Sequence, residues 1–271
     1  MGLNKSTFKH TAIYSFAAML GKAIGFLMLP FYAHILGDAG YGVIGMIDVS
    51  LSFLLSLLGR SVAGALARFY HEEKGDDKNA VISTGIWLTF VTSVTLISIA
   101  ALFSKPICQL LLGDSSYYVL LLLALASFLF DFLGQAAGSI LIIQRRSLPF
   151  SAVGLLRLVI GLSLNIYLIL ILKLGLLGYF LSGLLTAVIP AAIFLTISYR
   201  QCGARFDRRI ARKIIAYQMP LIPGALASFG SRQAERILIR FMINIQSVGV
   251  LEMGYKFPVL GYQADRDRPI R

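Results

Sequence analysis

Apolar residues come along this chain in runs of twenty or more, broken by short polar gaps. A helix rises 1.5 Å per residue and needs about 20 apolar residues to cross the hydrocarbon of a bilayer. Runs of that length predict spans near 11–35, 42–66, 80–103, 117–143, 150–172, 176–197 and 214–243, with an eighth beginning around 248. The expected fold class is therefore all-α, a polytopic membrane helix bundle. Hydrophobic residues make up 57% of the chain and its mean hydropathy is +0.78, so no sizeable soluble domain is expected. The first run follows Lys5 and Lys9 as a signal peptide would. It is longer than the roughly 7–15 residues of a cleavable apolar region, which marks it as a retained span. The start Met1 to Ser6 formally fits a myristoylation site at Gly2, an anchor that a seven-helix protein does not need.

The basic residues fall in alternate gaps. Lys5, Lys9, Arg68, Lys74, Lys78, Arg145, Arg146, Arg200, Arg205, Arg208, Arg209, Arg212 and Lys213 share one side, joined by Arg266, Arg268 and Arg271 if the eighth segment crosses. Only Lys105 and Lys173 lie opposite. Basic loops resist translocation, so the amino terminus is expected in the cytoplasm. The same asymmetry accounts for most of the net charge of +12 without nucleic acid. The basic stretch at 198–213 lacks the interleaved aromatics of a single-strand binder and suits anionic lipid headgroups. Cys108 and Cys202 fall on opposite sides, and His10, His34 and His71 are dispersed, which argues against a disulfide or a metal site.

Charged groups deep in a bilayer are costly and usually face a partner or a water-filled cavity. Lys22 lies ~16 Å along the first span and Asp131 at a similar depth in the fourth. Arg60 and Arg157 stand about two turns from the cytoplasmic ends of their spans, where Arg157 could equally snorkel to the interface. Asp48 lies near the outer end of the second span. Arg232, Arg236 and Arg240 recur every four residues and form one helical stripe, with Glu235 placed to meet Arg232. Pro220, Pro223 and Gly224 precede the stripe and should bend or break the helix. The stripe either lines a cavity or pairs with neighbouring helices to fix their packing. Gly21/Gly25 and Gly134/Gly138 are small-residue pairs that permit close helix contact.

A short repeat links the two ends. Gly42, Val43 and Met46 in Leu36-Gly-Asp-Ala-Gly-Tyr-Gly-Val-Ile-Gly-Met46 align without a gap with Gly249, Val250 and Met253 in Asn244-Ile-Gln-Ser-Val-Gly-Val-Leu-Glu-Met253. The match joins equivalent positions if six helices form a unit, which makes two such units parallel.

The chain resembles the polysaccharide biosynthesis proteins, the lipid-linked oligosaccharide flippases of the multidrug/oligosaccharidyl-lipid/polysaccharide exporter superfamily. The resemblance rests on His34-Ile-Leu-Gly-Asp-Ala-Gly-Tyr-Gly-Val43, Gly64-Ala-Leu-Ala-Arg68-Phe-Tyr70, Tyr217-Gln-Met-Pro220-Leu-Ile-Pro223, the pair Glu235-Arg236, and Val248-Gly249-Val250. It implies two six-helix lobes around a central cavity, and movement of an undecaprenyl-pyrophosphate-linked oligosaccharide to the periplasmic leaflet of the bacterial inner membrane. On that reading residues 1–200 form the first lobe and 201–213 a basic cytoplasmic linker; 214–262 begin the second lobe, and 263–271 no longer look like the family. The chain reads as truncated after the first helix of the second lobe, and little transport is expected from it alone.

The candidate substrate-binding residues are Lys22, Arg60, Arg232, Arg236 and Arg240, which could shelter a diphosphate from hydrocarbon. Asp48, Asp131 and Glu235 could balance those cations or exchange an ion. No catalytic residue, metal or cofactor is expected, and no ATP-binding loop is present. The expected partners are the lipid-linked oligosaccharide, membrane lipids and other polysaccharide assembly proteins. The rival readings are an organic-cation exporter of the same superfamily, which would favour acidic cavity residues, a membrane glycan polymerase or ligase, and a non-transporting scaffold remnant.

Overall fold

A helix near the start of the described residues kinks at Gly37, a position that needs glycine. Its φ of 63° and ψ of 177° lie outside what side-chain-bearing residues readily adopt. The computed structural model describes residues 29–58, 62–73, 77–144 and 146–256; Lys22 and Arg60 lie outside these. Ten α-helices run through the described residues: α1 (Leu29–Leu58), α2 (Val62–Glu72), α3 (Asp77–Leu102), α4 (Ser104–Leu112), α5 (Tyr118–Ile143), α6 (Ser147–Asn165), α7 (Gly175–Cys202), α8 (Arg208–Gln218), α9 (Ile222–Met242) and α10 (Ile245–Lys256).

Five helical stretches among them are long and apolar enough to cross a membrane: Ile35–Leu58, Asp77–Leu102, Ser115–Ile143, Leu148–Ile171 and Gly175–Cys202. They correspond to the second to sixth expected spans. The second begins at Ile35, seven residues earlier than expected, and is described as far as Leu58. The seventh is interrupted. The Pro220 region forms a 3₁₀ turn over Met219–Leu221, so α8 and α9 are distinct helices. Proline at 220 has no N–H to donate and is tolerated at the start of such a turn. α9 carries Arg232, Glu235, Arg236 and Arg240 within 21 residues, and it is not among the five.

Part of the basic stretch expected as a linker is helical. Asp207 caps α8 by accepting from the N–H groups of Arg209 and Ile210, and these bonds hold its carboxyl below the usual aspartate range. Ile210, Ala211 and Ile214 are buried on one face of α8 while Arg208, Arg209 and Arg212 are exposed on the other. Glu73, just past α2, accepts from Lys213 at 2.6 Å and from Arg209 at 3.1 Å and 3.2 Å. The Arg68 guanidinium lies 5.3 Å from the centre of the Tyr217 ring. The basic gaps at 68–78 and 200–213, separated in sequence by four spans, thus meet at one end of the bundle.

The interior divides into two large apolar clusters. One joins Leu66, Val81, Ala137, Ile140, Phe194, Ile210 and Ile214 at the end where α8 docks. The other joins Met46, Ile47, Cys108, Leu121, Leu125, Phe180 and Val248 at the opposite end. Cys202 belongs to the first and Cys108 to the second, so the two free thiols are far apart, as their sequence positions predicted. The most extensive helix pairing is α5 with α7. A Cβ on Gly134 would stand 3.2 Å from the Ala191 Cα, and one on Gly138 3.2 Å from the Phe194 ring, which is the close contact expected of that glycine pair. Ser198 ties the helices further by donating to the Ala137 carbonyl at 2.8 Å.

Candidate functional site

The stripe on α9 concentrates charge on one helix, and its three arginines meet different surroundings. Arg232 is exposed; its Nε donates to the Ser228 carbonyl one turn earlier at 3.1 Å, and its side chain lines a cavity of about 220 Å³. Ser52, Leu55 and Ser56 of α1 form the facing wall, with Phe229 and Gln233 beside Arg232. Phe229 packs edge-to-face on Phe53 of α1 with ring centres 5.5 Å apart. The amide of Gln233 crosses the gap and donates to the Ser52 hydroxyl at 3.0 Å. Gln233 is the one buried residue of α9 among the described residues, so this bond fixes which face of the helix turns to α1.

Arg236, one turn further on, is engaged on three sides. Its Nη1 donates to Gln233 Oε1 at 2.6 Å, its Nη2 to Glu252 Oε2 at 3.1 Å, and its Nε pairs with Glu252 Oε1. Both side chains are largely buried, and the Tyr255 ring sits 5.9 Å from the guanidinium. A two-bond fork of this kind is among the strongest polar contacts available to arginine. Arg240 reaches α4, where its Nε donates to the Leu111 carbonyl at 2.7 Å. One helix therefore holds a cation in a cavity wall, a cation in an ion pair and a cation on a helix end.

Glu235 does not meet Arg232, which corrects the spacing argument. It points to α10 and accepts from the Tyr255 hydroxyl, because Arg232 turns back along its own helix to Ser228. Among the described residues Asp131 pairs away from the stripe. Arg157 of α6 forks onto it, Nη1 at 2.6 Å from Oδ1 and Nη2 at 2.9 Å from Oδ2. Arg157 thus turns to a partner rather than snorkelling. Asp48 is exposed on α1. The structure brings Arg232 and Arg236 together with Gln233; it keeps Arg240, Asp131 and Asp48 apart from them.

Two partners escaped sequence reasoning. Glu252 is a lone acid in the last apolar stretch, and a charge so placed marks a buried partner. For Asp131 the signal was depth. It lies twelve residues before the end of α5 and Arg157 ten after the start of α6, so an antiparallel hairpin sets them level.

Residues 7–262 match the family of polysaccharide biosynthesis proteins. An uncharacterized membrane protein of Haemophilus influenzae is 22% identical over 254 residues, which covers 92% of this chain and 60% of that protein. A second Haemophilus influenzae protein, protein 1 of the Lsg locus, is 31% identical over 91 residues, 33% of this chain and 23% of that one. In architecture the chain is similar to a crystal structure of a mutant of the Vibrio cholerae MATE transporter VcmN. The TM-score is 0.66 at 15% identity, over 94% of this chain and 64% of that one. That likeness is one of fold. The chain spans about three fifths of the length of the first relative.

Proposed function

Because the chain belongs to the polysaccharide biosynthesis protein family, we propose that it forms part of a transporter for a lipid-linked oligosaccharide. The cargo is an undecaprenyl-pyrophosphate-linked glycan, moved from the cytoplasmic to the periplasmic leaflet of the bacterial inner membrane for surface polysaccharide synthesis. The amino terminus lies in the cytoplasm in this reading, which the bias of basic residues to alternate gaps supports. The protein works by binding and shape change, not by bond chemistry.

The observation that supports this reading is the cavity between α1 and α9, where Arg232 stands beside Gln233 and opposite Ser52 and Ser56. A diphosphate leaving water needs positive charge and hydrogen-bond donors, and the Arg232 guanidinium with the Ser52 hydroxyl and the Gln233 amide supplies both. An organic cation would need acids there instead. Asp131 and Glu252 are each forked by an arginine, which leaves the cation excess on the cavity side. Lys22 and Arg60, outside the described residues, remain proposed contributors to the same site.

The test is translocation of undecaprenyl-pyrophosphate oligosaccharide by a full-length family member in vesicles. Replacing the arginine equivalent to Arg232 by alanine should cut the rate about tenfold, the value of one charge-assisted contact. An unchanged rate removes the cavity from the pathway.

A further inference from the structure

The exposed side of α8 changes character along its length. Arg208, Arg212 and Ile215 stand four and three residues apart and share one helical stripe, which continues to Met219 at the turn into α9. All of these are exposed, Ile215 at 41% and Met219 at 65%. The stripe is therefore cationic over its first half and apolar over its second. Beside the cationic half lies an open cavity of about 460 Å³, lined by Arg208, Arg209, Arg212, Lys213 and Ala216. Glu73 engages Arg209 and Lys213, while no ion pair holds Arg208 or Arg212 among the described residues.

The start of α8 sits at membrane-interface depth. The Asp207 N–H donates to Thr84 Oγ1 at 2.9 Å. Thr84 lies seven residues into α3, ~10 Å along it and past the first apolar residues Ala80, Val81 and Ile82. α8 thus begins level with the boundary between headgroups and hydrocarbon instead of standing clear in water. Tyr199 and Phe206 are exposed at the same end, as rings in an interfacial belt are.

We infer that α8 binds an anionic phospholipid: the phosphate takes Arg208 and Arg212 at the open cavity, and an acyl chain lies along Ile215 and Met219. The site is independent of the proposed cargo; the proposed topology names only the leaflet, the cytoplasmic one. A soluble phosphate, a nucleic acid or an acidic protein would satisfy the arginines and leave Ile215 and Met219 in water. A zwitterionic headgroup carries its own ammonium, which the two guanidiniums repel. A lipid of net negative headgroup fits both halves, since its phosphate oxygens take charge-assisted bonds and its chain covers the apolar side chains. α8 runs through Met219–Leu221 into α9, so the bound lipid also stands at the foot of the helix that carries Arg232.

The test uses the chain in phosphatidylcholine nanodiscs with Cys108→Ser and Cys202→Ser, and a bimane fluorophore on Leu221→Cys, an exposed position beside the stripe. A small fraction of lipid carrying a doxyl quencher high on its acyl chain is either phosphatidylglycerol or phosphatidylcholine. Each cation near a membrane surface is worth about fivefold in affinity for an anionic lipid, so phosphatidylglycerol should be enriched about twentyfold at the fluorophore. Arg212→Gln should lower that enrichment about fivefold, and the double variant Arg208→Gln/Arg212→Gln should abolish it. Arg146→Gln, which removes an exposed cation from another gap on the same side, should leave it unchanged. Constant quenching by labelled phosphatidylcholine throughout shows that α8 keeps its place in every variant.

Equal quenching by the two lipids overturns the inference. So does an equal loss in Arg146→Gln and Arg212→Gln, which would reduce the stripe to general surface charge. Displacement of labelled phosphatidylglycerol by millimolar inorganic phosphate would make this a site for a soluble anion, and displacement by one equivalent of undecaprenyl pyrophosphate would give it to the cargo; either result removes the phospholipid. None of these outcomes alters the transport test on Arg232.

Discussion

Replacing Gly249 by alanine should destabilise the protein although alanine is the better helix former. The new methyl group would overlap the Asp38 carbonyl oxygen and stand 2.7 Å from the carbonyl carbon. Ordinary carbon contacts are about 3.5–4.0 Å, so α10 would have to back away from α1 by roughly 1 Å. Backbone atoms form the obstacle, and no rotamer change relieves them. Overpacking of this kind costs about 1–3 kcal/mol, against which alanine recovers about 1 kcal/mol of helix propensity. Gly230 in α9 is the matched control, because nothing lies within 4 Å of its added Cβ. Gly230→Ala should therefore stabilise by up to about 1 kcal/mol. The buried thiols provide the assay. With Cys202 replaced by serine, Cys108 alone reports the apolar cluster that contains Val248 of α10, through its reactivity with a fluorogenic maleimide on heating. Gly249→Ala should lower the midpoint by a few degrees and Gly230→Ala should raise it by a similar amount. A midpoint for Gly249→Ala at or above the parent, with the control behaving as stated, refutes the close approach of α10 to α1.

Two further outcomes follow from the polar contacts. Asp131→Asn and Arg157→Gln should each destabilise more than expected from the double variant, with a coupling of about 1–3 kcal/mol in a thiol-reactivity melting cycle; additive effects would dissolve the ion pair. The lysine bond from Lys213, then the charge of Arg209, holds the Glu73 carboxyl below its usual value of 4.5, so the pair stabilises α8 docking above that pH and the contribution is lost as pH falls through the lowered folded value. A spin label at exposed Arg212 should stay immobile at pH 5 and loosen only in more acid buffer, a transition that Glu73→Gln should abolish.

Much of the fold was legible because a bilayer imposes one simple demand, that every backbone polar group be satisfied within an apolar helix of sufficient length. Spans 80–103, 117–143, 150–172 and 176–197 appear with their ends displaced by only a few residues. The proline break at Met219–Leu221 was equally readable, since it follows from a missing N–H. What hydropathy missed is where apolar length stops being the criterion. α8 hides in a basic stretch because its buried face is only Ile210, Ala211 and Ile214.

The candidate site was half legible, and the missing half is always the partner. Helix geometry sets Arg232, Arg236 and Arg240 on one stripe from spacing alone. It says nothing of the Ser228 carbonyl, of Glu252 or of the Leu111 carbonyl, which are supplied by the stripe's own previous turn, by α10 and by α4. The local guess of Glu235 for Arg232 failed for that reason: an i,i+3 acid competes with everything else in reach, and Tyr255 of α10 was nearer to its carboxylate. The repeat behaved differently. Gly42 and Gly249 matched as sequence, and the structure sets each against the other's helix. Two like segments can pack face to face when both carry a bare glycine at the crossing, since each then offers a flat backbone surface to the other. Equivalence in sequence thus became contact in space, and the acid that sits beside that contact, Glu252, is the one that reaches Arg236.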